Sequence, residues 1–200
     1  KIKNLNFDYD WFTNHITTWL KAFESSKFTK ESSLQCLEIG SWQGMSAFFT
    51  LNYFCNAKLS CVDIWKGSDE HQFTNKLDIV NNIEQVFDSN LILFKNRLSK
   101  FKLSSYEFFN NFYEPEKYNL IYIDGSHHSD DVIVDAFKAF EMLKVGGIII
   151  FDDYFWNYYK EKICNPAGAI NSFLRIKKHQ LSIICFDDQV VIRKLYRTVR

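Results

Sequence analysis

Apolar residues are distributed along the chain in two alternating rhythms. Leu34–Ile39, Leu59–Val62, Leu91–Phe94, Asn119–Ile123 and Ile148–Phe151 are short, nearly continuous apolar runs, the pattern of strands buried on both faces. Between them, Met45–Phe54, Phe73–Phe87, Ser104–Phe112 and the stretch following Ser129 carry apolar residues at helical spacing. Ser129 has the character of a helix N-cap, and Gly146-Gly147 that of a helix stop. Pro166 opens a further helix running to about Lys178. Leu181–Phe186 and Gln189–Arg193, joined at Asp187-Asp188, read as an antiparallel hairpin. The alternation predicts an α/β fold: a mostly parallel seven-stranded sheet, helices on both faces, and a C-terminal antiparallel hairpin.

Upstream, Asp8 to Phe23 places Trp11, Phe12, His15, Ile16, Trp19, Leu20 and Phe23 on one helical stripe. Residues 1–30 are thus expected to form a helical segment packed on the core, and residues 31–200 one domain. His15 on that stripe has the ordinary reading of a satisfied interior histidine.

Composition narrows the partners. A length of 200 residues at 46% hydrophobic and 24% charged suits one core, and zero formal net charge leaves no footprint for nucleic acid. No apolar run reaches the ~18 residues that read as a membrane span. The five cysteines occur singly, with no C-x-x-C pair, which argues against a zinc or redox motif and favours a reducing, cytoplasmic setting. The aromatic content of 18% suggests a Phe-rich core and surface, and exposed aromatics raise the expectation of a homodimer.

The chemistry gathers at the strand ends. Glu38, Asp63, Asp124 and Asp152 each close a separate apolar run, and ligands of such sheets bind outside the carboxyl ends of the strands. After the first strand comes Gly40-Ser41-Trp42-Gln43-Gly44, a glycine turn opening a helix whose free N–H groups suit an anionic ligand group. Asp63 follows Gly40 by 23 residues, close to the ~20 between a glycine turn and a ribose-binding acid. A right-handed crossover from Asn119–Ile123 to Ile148–Phe151 brings Asp124, Asp152 and Asp153 to one rim. Three carboxylates there would repel one another, which favours a cation between them.

On these motifs the sequence resembles the class I S-adenosylmethionine-dependent methyltransferases, a Rossmann-like fold family. LEIGSWQGMSAF is similar to their E-x-G-x-x-x-G motif, CVDIW to their second strand, and LKVGGIIIFDD to the turn into their fifth. Asp124 with Asp152-Asp153, and the phrases IDGSHHSDDV and WKGSDEH, resemble the small metal-dependent O-methyltransferases of the catechol and macrolide-sugar kinds. The resemblance implies S-adenosylmethionine as cofactor. Gly40, Ser41 and Gly44 would form its turn, braced by Glu38; Ser46 would hold the methionine carboxylate, Asp63 the ribose, and Asp124 the amino group. It also implies Mg²⁺ or Ca²⁺ at Asp124, Asp152 and Asp153, with a small-molecule hydroxyl as acceptor. Lys95-Asn96-Arg97-Leu98 departs from the family's usual Gly-x-Ser after the third strand.

A bound cation lowers the pKa of a coordinated hydroxyl and fixes its direction. His127, three residues after Asp124, is the alternative base for a reaction without metal. His128 and His71 are weaker candidates. Trp65–His71 and the aromatic Tyr154–Tyr159 would wall the acceptor, and suit a sugar or a phenol equally. A nicotinamide-dependent dehydrogenase is a further alternative, though the chain lacks G-x-G-x-x-G. A cofactor-binding module without catalysis is another.

Overall fold

The computed structural model describes residues 5–67 and 82–197. Its sheet has seven strands: β1 (Gln35–Ile39), β2 (Lys58–Asp63), β3 (Leu98–Lys102), β4 (Tyr118–Ile123), β5 (Leu143–Phe151), β6 (Leu181–Phe186) and β7 (Val190–Lys194). Their order is β3-β2-β1-β4-β5-β7-β6. The first five run parallel, and β7 inserts antiparallel between β5 and β6. The described helices are α1 (Ile16–Ser25), α2 (Met45–Tyr53), α3 (Ile83–Asn90), α4 (Ser105–Phe112), α5 (Ser129–Met142) and α6 (Pro166–Lys177). The fold is the Rossmann-like, mostly parallel sheet with a closing hairpin that the apolar rhythm predicts. None of the described helices is long and apolar enough to cross a membrane.

Alternate residues of each strand feed two separate cores, as the two-residue period of a strand requires. Leu37, Ile39, Ile149 and Phe151 pack with Phe108, Phe140 and Phe173 of α4, α5 and α6. Cys36, Cys61, Ile148 and Ile150 pack with Trp19, Phe23, Leu51 and Phe87 of α1, α2 and α3. The buried cysteines thus act as small apolar residues. Neighbours of β1 on its two sides come from opposite directions in the sequence, β2 and β4, so the crevice of the sheet opens between the ends of β1 and β4.

Four local expectations differ from what forms. Leu91–Phe94 is no strand; Ile92–Phe94 makes a 3₁₀ turn with Ile92 and Leu93 exposed. The third strand is Leu98–Lys102, an edge strand whose Lys100 and Lys102 pair with Glu84 and Asp88 of α3. The N-terminal helix is shorter than its stripe: Thr13–His15 is 3₁₀, and α1 starts at Ile16. Gly146-Gly147 does not stop α5, which ends at Met142; both glycines lie within β5, where its register against β4 shifts. His128 rather than Ser129 is the N-cap of α5. Of the helix expected over Phe73–Phe87, residues 73–81 lie outside the described residues, as does His71.

Candidate active site

The glycine turn is built by crowding. Gly40 has φ +80°, and a Cβ there would lie 1.9 Å from the backbone oxygen of Asp124. Any side chain would push the β1 end off the β4 end, so the close approach that glycine permits here is to β4. Asp124 N–H donates to the Ile39 carbonyl at 2.8 Å, and Gly40 N–H to that of Val62 at 2.9 Å. Three strand ends are thereby joined. Gly44, at φ +83°, is the N-cap of α2, and a Cβ on it would press on Leu91 and Phe87 at 3.0 Å.

Asp63 clamps this turn. Its Oδ2 accepts the backbone N–H groups of Ser41 at 2.8 Å and Trp42 at 2.9 Å, and its Oδ1 that of Trp65 at 2.6 Å. Burial raises the Asp63 pKa, and these N–H groups pull it partway back. The Ile64 N–H also bears on this carboxyl, so backbone donors claim most of its about four acceptor positions and Asp63 is first of all the brace of the loop. Trp42 and Trp65 both hold positive φ, 45° and 49°, and the Trp65 indole N–H donates to the Trp42 carbonyl at 2.9 Å. Such backbone in bulky residues concentrates at functional sites.

Glu38 lies beneath the turn, 1% exposed. Burial pushes its carboxyl up to about 8; the Ser41 and Ser46 hydroxyls counter this, while Asp124 and Asp63 add to it. Oε1 of Glu38 and the Ser41 hydroxyl are both buried, and their mutual contact falls short of a well-formed hydrogen bond. Buried polar atoms of this kind call for a partner. A cofactor with a charged amino acid portion fits them.

At the rim, Asp124, His127 and Asp153 bring one ligand atom each to within 4.8 Å of the others. His127 Nε2 is 2.9 Å from Asp153 Oδ2 and 3.9 Å from Asp124 Oδ1. Asp153 adopts φ +55°, which turns it back over this group, and the Trp156 ring tilts across His127 at 4.6 Å. Burial, then Asp152, pushes the Asp124 carboxyl up to about 8, against the pull of His127. Two carboxylates set a preference for a hard cation such as Mg²⁺ or Ca²⁺, and the imidazole also admits Mn²⁺. The donor set fits a divalent ion.

Asp152, expected as a ligand with its neighbours, is outside this three-residue group, although it lies close enough to Asp124 to share a hydroxyl with it. Its Oδ2 meets the Tyr122 hydroxyl and its Oδ1 accepts the Gln189 amide at 3.1 Å. Tyr122 also lies 3.0 Å from Asp124 Oδ2. Tyr122 and Gln189 are residues of this rim that the sequence reading missed, whereas Trp156 lies in the Tyr154–Tyr159 stretch expected there. For Tyr122 a signal existed, since it stands two positions before Asp124 and shares its face of the sheet. Of the other expectations, Ser46 sits in the first turn of α2 against Glu38. In the Lys95–Leu98 stretch, which departs from the family's Gly-x-Ser, the Arg97 guanidinium donates to the carbonyls of Leu51, Phe54 and Ala57 at the end of α2.

Residues 37–154 match the model of a family described as a methyltransferase domain. The chain belongs to this family. It is a class I S-adenosylmethionine-dependent methyltransferase domain, which sets the nicotinamide alternative aside. No curated protein matches it. Among solved structures, MycE of the mycinamycin biosynthetic pathway, in complex with Mg, S-adenosylhomocysteine and mycinamycin VI, superposes with TM-score 0.65 at 14% identity, over 94% of this chain and 51% of that one. The methyltransferase chain thus spans about half the length of MycE. A candidate O-methyltransferase from Klebsiella pneumoniae gives TM-score 0.65 at 14% identity, covering 95% and 84%. A candidate rRNA methylase from Clostridium thermocellum gives 0.62 at 14%, covering 90% and 97%. At such identity the three share the fold.

Proposed function

We propose that this protein transfers a methyl group from S-adenosylmethionine to a hydroxyl of a small molecule, with a divalent cation held by Asp124, His127 and Asp153. The observation that carries this is the grouping of those three ligand atoms at the β4 and β5 ends, beside the glycine turn of β1. MycE, named with both Mg and S-adenosylhomocysteine, lends support by analogy of fold. The bound cofactor supplies the electrophilic methyl, and the bound cation would acidify the acceptor hydroxyl.

The chain's own residues do the rest. Ser41, Ser46 and Glu38 hold the amino acid portion of the cofactor, and Asp63 adds a ribose contact to its bracing of the turn. Asp124 lies between cofactor and acceptor. His127 Nε2 and Asp153 Oδ2 are 2.9 Å apart, a contact that fixes the imidazole ring; a cation would take the Nε2 lone pair in place of a proton shared with Asp153. Trp156, Tyr158 and Tyr159 pack in tilted and edge-on contacts into an aromatic wall beside that pair and would keep water from the acceptor. Zero net charge favours a small acceptor over nucleic acid.

The His127–Asp153 contact also supports a second reading, in which His127 takes the hydroxyl proton with no cation, as an imidazole backed by a carboxylate can. Chelation separates the two. With phenolic and sugar acceptors and labelled cofactor, activity should vanish on treatment with EDTA and return with Mg²⁺ or Mn²⁺. Full activity in EDTA that is lost in His127→Ala would select the cation-free reading. Absence of cofactor binding by calorimetry would overturn both.

A further inference from the structure

Gln189 of the last hairpin ties the first helix to the acid rim. Gln189 is 1% exposed, and both ends of its amide are engaged. Oε1 accepts the Trp19 indole N–H at 3.0 Å, while Nε2 donates to Asp152 Oδ1 at 3.1 Å. The same Oδ1 accepts the Asp153 N–H at 2.9 Å. Asp152 Oδ2 meets the Tyr122 hydroxyl, and the Tyr122 ring packs edge-on against Trp19 at 4.9 Å. The circuit closes on itself: Trp19, Gln189, Asp152, Tyr122 and back to Trp19.

We propose that Gln189 and Trp19 are positioning residues, which lock Asp152 onto Tyr122 so that Tyr122 aims Asp124 at the reacting centre. Asp152 is then a brace and not a cation ligand. This inference rests on the methyl-transfer site proposed above. Its direction follows from donor chemistry. An indole N–H can only donate, so Gln189 must present its oxygen to Trp19 and its NH₂ to Asp152. Glutamate at 189 would satisfy the indole but set a second carboxylate against Asp152. With Oδ1 held by two N–H donors and Oδ2 by Tyr122, three hydrogen bonds fix the Asp152 carboxyl in one orientation. A group hydrogen-bonded to a metal ligand typically governs its orientation, and losing one costs about 10–100-fold in metal affinity or activity; Tyr122 is that group for Asp124, and Gln189 and Trp19 act on it through Asp152.

The test uses the full chain, with Mn²⁺ affinity read by electron paramagnetic resonance, cofactor affinity by calorimetry and folding by Tm. Gln189→Met should bind Mn²⁺ about tenfold more weakly or worse, with cofactor affinity unchanged. Asp152→Asn should retain measurable Mn²⁺ binding, whereas Asp124→Asn should lose it. If Gln189→Met does not fold, Trp19→Phe, which keeps an aromatic ring and removes the donor, carries the same expectation. Unchanged Mn²⁺ affinity in the folded variant would overturn the proposal. So would complete loss in Asp152→Asn, since that residue would then be a ligand. Should the wild type bind no Mn²⁺, the cation reading falls, and the positioning role is judged on metal-free protein alone. There, solvent exchange of the Trp19 indole N–H, followed by NMR, should accelerate severalfold in Asp152→Ala; unchanged exchange overturns the circuit.

Discussion

The Tyr122 hydroxyl lies 3.0 Å from Asp124 Oδ2 and also contacts Asp152. One hydroxyl proton cannot serve two ionised carboxylates at once. Burial raises the pKa of both acids, which relieves that conflict by favouring a proton on one of them. Tyr122→Phe keeps the ring against Trp19 and removes the shared group. Its unfolding free energy in urea should fall by about 1.5–3 kcal/mol, the scale of a hydrogen bond to a charged group. Wild-type stability in this variant would show that the carboxyls have other partners.

Glu38 predicts a proton released on cofactor binding. Burial holds its carboxyl at a pKa of about 8, so at pH 7 it is mostly protonated. A sulfonium cofactor placed nearby favours the charged carboxylate and draws the pKa down. The binding enthalpy at pH 7 should therefore vary with the ionisation enthalpy of the buffer, in the sense of proton release. Glu38→Gln should flatten that dependence, and S-adenosylhomocysteine, with no charge on sulfur, should release less.

Asp135 supplies a pH signature away from the site. Buried on α5, it is pushed from 3.8 to about 7 by burial, and the Ser105 hydroxyl opposes the shift. Between those pH values the folded chain keeps a proton that the unfolded chain has lost, so stability falls as pH rises from about 4 to about 7. Asp135→Asn should lower that slope in urea titrations and gain stability over the wild type at pH 8. An unaltered slope would place the titration elsewhere.

Arg97 should be a stability residue. Its fork donates at 2.7 Å to Leu51, 2.9 Å to Phe54 and 3.1 Å to Ala57, satisfying carbonyls at the C-terminal end of α2, where positive charge is also favoured. Arg97→Met should cost about 2 kcal/mol or more, read as a lowered Tm. Arg97→Lys should restore only part, because an ammonium cannot match the planar fork.

The acids at the strand ends were legible because each closes an apolar run, and because topology decides which edge they share. The third strand was not. Leu98–Lys102 has only two apolar residues, Leu98 and Phe101, at a spacing of three, and none of its residues is fully buried, while the more apolar Leu91–Phe94 nearby drew the strand reading. The adjacent pair Asp152-Asp153 shows a different limit. Neighbours at a strand end can face opposite ways, and here the positive φ of Asp153 turns it towards His127 and leaves Asp152 with Tyr122. Tyr122 and Gln189 depend on partners 30 and 37 positions away, and nothing in their local sequence announces that.

Trp19 and Gln189 stand 170 positions apart. A chain made in order presents its glycine turn, then Asp63, then Asp124, long before the strand that follows Gln189 can slide between β5 and β6. Until that strand arrives, Asp152 has no amide to hold it. The acid circuit therefore cannot close before Gln189 is in place, and a nascent chain can carry the parts of a cofactor site while that circuit stays open.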